Sequence, residues 1–291
     1  VVHPSLQGEE VMPLFTGKKI FQPMEEWPVY ERDWMARISN KGPVLFTGEG
    51  LLSQISKDYS LEVNLSFRRG DFVANETGLL TLRGKLGALI RVRDEIWYVY
   101  SQTLLLATML YRLKETVKRV NPMASVIVRS LPPVKPLDDW YFEAIEDASC
   151  ICWPSSVTDG VIHQEIWKEF GGIERTLEFY RRSWNPSFKL LLECDRLSDA
   201  ITAIKSGADG IVLKDLKSEM VGEIVKALRE RFKKIYIEYC GDMTLFNVDQ
   251  YASLGLDAIS TYRADLTKAT ASSEMVYTLI PAPDTDEPKH S

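Results

Sequence analysis

The sequence is poor in the signals that announce a bound metal or nucleotide. It has no CxxC pair, no HExxH, no Walker loop and no glycine-rich dinucleotide fingerprint, which removes the usual zinc, P-loop and Rossmann readings. There are three histidines and four cysteines. Cys150, Cys152, Cys194 and Cys240 stand beside no second histidine, so they are expected as small buried hydrophobes on strands. No Lys/Arg block occurs and the formal charge is −6. An electrostatic nucleic-acid footprint is therefore not expected. The longest apolar stretch, Ile96–Leu113, is broken by Tyr98, Ser101, Gln102, Thr103 and Arg112, which predicts a buried helix and no membrane span. Without a charged-then-apolar leader pattern at its start, the chain is expected to be cytoplasmic.

What is present is an ordinary globular composition, 45% apolar and 26% charged over 291 residues. That supports one large α/β domain with a smaller companion. Residues 1–40 are rich in Pro, Trp and Glu without periodicity and read as an extended arm that packs on a partner. The segments "GPVLFTG", "SLEVNLSF", "GLLTL" and "GALIRV" predict a small β-rich unit over 41–94. A helix should follow from Asp94 to Val120, acidic at its start, basic at its end and stopped by Asn121-Pro122.

Beyond Ala124 the rhythm changes. The runs "SVIVRS", "SCICW", "FKLLLEC", "DGIVLKD", "KKIYIEYC" and "DAIST" alternate with helical segments over 137–145, 162–181, 198–206, 218–232 and 245–254. Such alternation means crossover units and a parallel sheet buried on both faces. The turns "SGADGIVL" and "LGLDAIST" repeat one design, a Gly closing a helix and an Asp opening the next strand. The predicted fold class is α/β: an incomplete parallel βα-barrel of about six strands over 121–270, with residues 271–291 as a tail. A doubly wound open sheet is the alternative.

Function in such folds lies at the C-terminal ends of the strands. The residues delivered there are Arg129, Glu193 with Asp195, Lys214 with Asp215, Glu238 with the Cys240-Gly241-Asp242 turn, and Ser260-Thr261-Tyr262-Arg263. Mixed cations and carboxylates suit an anionic, metal-chelated substrate. The same charges could equally be solvated ion pairs, with Glu193 pairing Lys214 on the neighbouring strand. His163 reads more readily as a helix-start hydrogen bond than as a catalytic group.

The segment from His163 to Thr267 resembles the C-terminal barrel of the type II phosphoribosyltransferases, the quinolinate and nicotinate enzymes. "LLLECDRLSDA" stands for the family's E-V-E-V strand, with Glu193 at the second Glu. "GADGIVLKD" answers "GADIIMLDN", Glu238–Met243 answers the E-x-S-G-G-I phosphate turn, and "GLDAISTY" answers "GVDVISVG". "GGIERTLEFYRR" is similar to the family's helix after its Asn-His, and Ala107-Thr108 matches its "SGIATxT" helix. The resemblance covers most of 79–267. It implies an N-terminal α/β sandwich domain over 41–120, an open barrel, a homodimer, and Mg²⁺. It also implies transfer of ribose 5-phosphate from phosphoribosyl pyrophosphate to a pyridine carboxylate in NAD biosynthesis. Glu193 and Glu238 carry over as catalytic carboxylates. Arg129, Lys214, Gly241, Asp242, Ser260, Thr261 and Arg263 carry over as substrate or phosphate contacts, and Asp215 as a metal contact.

The departures cluster where the chemistry should be. Ser130 replaces the Lys of T-R-K-T, Lys214-Asp215 replaces Asp-Asn, Asp242 replaces the second turn glycine, and Tyr262 replaces the V-G glycine. A carboxylate within about 4 Å of a phosphate costs several kcal/mol unless a cation intervenes. Two functions are therefore expected to compete: a divergent transferase with a degenerate phosphate site, and a non-catalytic relative serving as scaffold, regulator or assembly subunit. A different phosphate-binding barrel enzyme is a third.

Overall fold

The computed structural model describes residues 28–129, 138–152, 159–184, 186–261 and 275–282. Its first unit opens with strand β1 (Asp33–Asn40), β2 (Val44–Leu45) and helix α1 (Glu49–Tyr59). It continues with β3 (Glu62–Leu65), β4 (Phe72–Val73), β5 (Gly78–Lys85) and α2 (Leu86–Glu95). A π-helical turn, Ile96–Tyr100, then leads directly into α3 (Ser101–Val120). "GALIRV", expected as a strand, is thus the body of α2. The predicted helix 94–120 is the second part of a longer rod. Within that rod, the Ser101 hydroxyl donates to the Trp97 carbonyl and the Thr103 hydroxyl to that of Val99 at 3.0 Å. These bonds return partners to carbonyls that the wide turn displaces.

The second unit begins with β6 (Ser125–Val128), α4 (Asp138–Asp147), β7 (Ile151–Cys152) and β8 (Asp159–Ile162). Then come α5 (Gln164–Glu169), α6 (Ile173–Ser183), β9 (Lys189–Cys194), α7 (Leu197–Lys205) and β10 (Gly210–Lys214). The series ends with α8 (Ser218–Arg231), β11 (Tyr236–Cys240), α9 (Val248–Ala252) and β12 (Ala258–Thr261). Strand β13 (Met275–Pro281) returns to the first unit.

Seven strands form the second sheet in the order β7-β6-β12-β11-β10-β9-β8, and every pairing is parallel. The expectation of about six strands missed β8. The sheet curls but stays open between β7 and β8. Its outer face (Leu190, Leu192, Ile211, Leu213, Ile237 and Ile259 among others) packs under the helices as one core. Strands covered on both faces read as unbroken apolar runs. The four cysteines are free and buried. Burial pushes the Cys150 and Cys240 thiols up to about 12 and Cys152 to about 11, so at neutral pH they are packing groups.

The first unit is an antiparallel sheet, β13-β1-β5-β3, with its own core. The stretch read as part of an N-terminal arm supplies its inner strand, with Ala36 and Ile38 fully buried. The stretch read as a tail pairs with it, Trp34 opposite Pro281 through Asn40 opposite Met275. Residues 1–27 of the predicted arm lie outside the described residues. Helix α3 joins the two cores: Leu104 belongs to one, and Leu106, Leu110 and Leu113 to the other. At this junction Leu45 donates its backbone N–H to the Thr108 hydroxyl at 2.9 Å.

At the N-terminal ends of the strands, one device occurs twice. Asp209 Oδ2 accepts the Leu190 N–H at 2.8 Å and Asp257 Oδ2 accepts that of Ile237 at 2.7 Å. An arginine from the helix before the neighbouring strand grips each aspartate: Arg181 of α6 holds Asp209, and Arg229 of α8 holds Asp257 at 2.6 Å. Each arginine also donates to the carbonyl of the left-handed glycine two residues before, Gly207 at 2.8 Å and Gly255 at 3.2 Å. The matching turns are thus clamps that tie helix, turn and neighbouring strand together.

Candidate active site

The inner face of the curled sheet is where the charges lie. Pairing sets Glu193 of β9 opposite Val212 of β10, and Val212 opposite Glu238 of β11. The two carboxylates therefore project from one face at one level, with backbones roughly 10 Å apart. Both are almost completely buried, at 1% and 0% exposed. A buried carboxylate must be paired and hydrogen-bonded, and the chain meets this need in two different ways.

Glu238 is sealed. Arg129, just past β6, anchors its own backbone by donating its N–H to the Thr261 carbonyl at 2.8 Å. Its guanidinium meets Glu238 side-on: Nε donates to Oε1 at 2.8 Å and Nη2 donates to Oε2. Such a fork is the strongest form of carboxylate pairing. The Ser260 hydroxyl adds a donor to Oε1, and the Tyr236 hydroxyl adds one to Oε2 at 2.9 Å. Arg129 is itself only 5% exposed.

Glu193 sits beneath groups that reach solvent. Its Oε1 receives His163 Nδ1 at 3.0 Å and Lys214 Nζ at 3.4 Å. Its Oε2 receives the Gln164 backbone N–H at 3.2 Å. The side chains of His163 and Lys214 are 43% and 31% exposed. Trp167 fixes this corner by donating its indole N–H to the Glu193 carbonyl at 2.9 Å. His163 precedes α5 but makes no side-chain cap to it; its imidazole turns to the carboxylate instead.

The phosphate turn of the sequence reading is occupied by its own chain. Gly241 donates its N–H to the Ser260 carbonyl at 3.2 Å. A Cβ there would lie 2.6 Å from the Tyr239 hydroxyl, so close packing explains this glycine. Tyr239 stacks on Tyr251 with centroids 4.2 Å apart, and both hydroxyls donate to the Leu216 carbonyl at 3.0 Å. Asp242 is exposed, and its carbonyl accepts Asn247 Nδ2 at 3.0 Å. Asn247 Oδ1 in turn takes the Thr244 N–H at 2.8 Å and the Thr244 hydroxyl at 3.1 Å. The Thr244 amide, which could have faced an anion, is already used. Sequence reasoning passed over Tyr236, Thr244 and Asn247; the Thr-x-x-Asn spacing after a Gly-Asp pair was the available sign of a self-bonded turn.

Thr261 is buried beside Arg129, and Arg263 and Tyr262 lie outside the described residues, as does Ser130. Asp215 is exposed on a left-handed backbone (φ 51°), its N–H donating to the Cys240 carbonyl at 3.0 Å. A protein-held divalent ion needs several converging oxygens. Among the described residues no three His, Cys, Asp or Glu side chains converge, and Glu193 and Glu238 already face cations of the chain. These residues do not fit a metal held by the protein.

An open parallel βα-barrel, a small antiparallel companion domain, and paired carboxylates with cations at the strand ends define a two-domain barrel protein with paired charges at its mouth. The comparisons agree. The family model described as the quinolinate phosphoribosyl transferase C-terminal domain matches residues 158–274. The probable nicotinate-nucleotide pyrophosphorylase [carboxylating] of Archaeoglobus fulgidus is 27% identical over 235 residues, covering 79% of this chain and 89% of that one. The human nicotinate-nucleotide pyrophosphorylase is 30% identical over 90 residues, 31% of this chain and 30% of that one. Among solved structures, the Francisella tularensis nicotinate-nucleotide pyrophosphorylase superposes with TM-score 0.74 at 15% identity, over 86% of this chain and 87% of that one. That from Ehrlichia chaffeensis gives 0.75 at 14% identity, over 86% and 89%. Residues 158–274 thus match the C-terminal domain of the quinolinate phosphoribosyl transferases, and the chain shares its fold with the nicotinate-nucleotide pyrophosphorylases.

Proposed function

We propose that the chain is a divergent quinolinate or nicotinate phosphoribosyltransferase of NAD biosynthesis. Ribose 5-phosphate would pass from phosphoribosyl pyrophosphate to a pyridine carboxylate. The pyridine nitrogen forms a bond to the anomeric carbon while the bond from that carbon to pyrophosphate breaks, and pyrophosphate leaves with the electron pair. Positive charge develops on the sugar ring, and the Glu193 carboxylate stabilises it. Lys214 and His163 face the departing anion. Glu238 acts one step back: it is a positioning residue that holds Arg129 at the strand end. Family members typically use a divalent metal; no step here is assigned to one. A homodimer belongs to the same proposal.

The observation that carries this reading is the position of Glu193, buried at the strand ends beneath His163 and Lys214, whose side chains reach solvent. The self-bonded Thr244–Asn247 turn offers fewer free amides to the 5′-phosphate, which makes the enzyme divergent and predicts a high KM for phosphoribosyl pyrophosphate. That same turn is what favours the second reading, a non-catalytic scaffold relative. The test is chromatographic detection of pyridine mononucleotide from phosphoribosyl pyrophosphate with quinolinate, then with nicotinate. Product from either base supports the transferase; no product from both, at millimolar substrates, leaves the scaffold.

A further inference from the structure

Lys214 stands over the Glu193 carboxylate. It ends β10 on the inner face, and its Nζ shares Glu193 Oε1 with His163 Nδ1, at 3.4 and 3.0 Å. The second oxygen is taken by the Gln164 N–H. A divalent cation linking a phosphate to this rim would need those same oxygens, and its charge would stand beside the ammonium. Glu238, the other carboxylate on this face, has four donors from Arg129, Ser260 and Tyr236. Asp215, next to Lys214, stands exposed on its left-handed turn and belongs to no group of three His, Cys, Asp or Glu side chains among the described residues. The donor set thus repels a metal and presents a fixed cation in its stead.

We infer that this protein binds the anionic end of its phosphorylated sugar ligand without a divalent metal, Lys214 supplying the positive charge and His163 a second donor above Glu193. The inference deepens the phosphoribosyl reading and rests on it. A lysine ammonium is a compact charge on a flexible stem with three donors. It can keep one contact to Glu193 and turn the others to a phosphate. No ion has to be recruited with the substrate.

The test is titration calorimetry of the full chain with phosphoribosyl pyrophosphate, once in excess EDTA and once in millimolar Mg²⁺. The two dissociation constants should agree within about threefold. Lys214→Met should weaken binding at least tenfold in both buffers, and Lys214→Arg should retain it. Lys214→Asp should bind at least tenfold tighter with Mg²⁺ than with EDTA, having regained an acidic ligand. Melting curves of each variant separate lost binding from lost fold, and Lys214→Arg carries the test if the others unfold. Binding by the wild type only with Mg²⁺ overturns the inference while the phosphoribosyl reading stands. Wild-type affinity in Lys214→Met also overturns it. No binding in either buffer overturns both.

Discussion

Glu193 and Glu238 leave one sheet face at one level, yet their surroundings have little in common. Glu238 is closed off by an arginine fork, a serine and a tyrosine, all buried or partly buried. Glu193 is contacted by two side chains that are about a third to two-fifths exposed. The difference shows how one fold can divide two similar charges between two tasks. A charge sealed by partners that cannot leave contributes geometry; one covered by partners that reach solvent can exchange them for a ligand.

Breaking the sealed side should have the largest effect. Arg129→Met leaves the buried Glu238 carboxyl without its counter-charge, and removing one member of such a pair costs about 3–5 kcal/mol. Urea denaturation should show a fall of that size. The double variant Arg129→Met/Glu238→Leu should recover much of it, because the stranded charge is gone. If the single variant melts like the wild type, the sealed pair is not structural. The basal clamps provide a smaller, outward-facing control. Arg181 and Arg229 are 32% and 29% exposed and their aspartates about two-fifths exposed. Solvent screening and backbone contacts together leave each clamp worth about 1 kcal/mol. Arg229→Ala and Arg181→Ala should each lower stability by that amount with no change in ligand affinity. A drop in affinity without a drop in stability would show that the two ends of the barrel are not independent.

The duplicated turns were legible because a glycine cap and a strand-opening aspartate are local features. Their arginine partners were not, since Arg181 and Arg229 lie 28 residues before the aspartates they hold. The pairing of Glu193 with Lys214 followed from adjacent strands. That of Glu238 with Arg129 needed the strand order β6-β12-β11, which joins residues 109 apart. Strand β8 escaped notice because its four residues run straight into a helical pattern. "GALIRV" looked like a strand because an apolar run of that length fits either state, and α2 continues through a π turn that blurs the helical period. Strand β13 resembled a tail because its partner lies at the other end of the chain. The candidate site was therefore readable as a set of residues and unreadable as two separate networks.

The most direct trial of the division is to compare turnover and melting temperature for Glu193→Gln and Glu238→Gln. The account predicts that Glu193→Gln forms mononucleotide at least 100-fold more slowly, about 2.7 kcal/mol of transition-state stabilisation, while melting within a few degrees of the wild type. Glu238→Gln should instead lose several kcal/mol of stability, its arginine now buried without a counter-charge. Wild-type turnover in Glu193→Gln would contradict the account, as would equal destabilisation by the two changes.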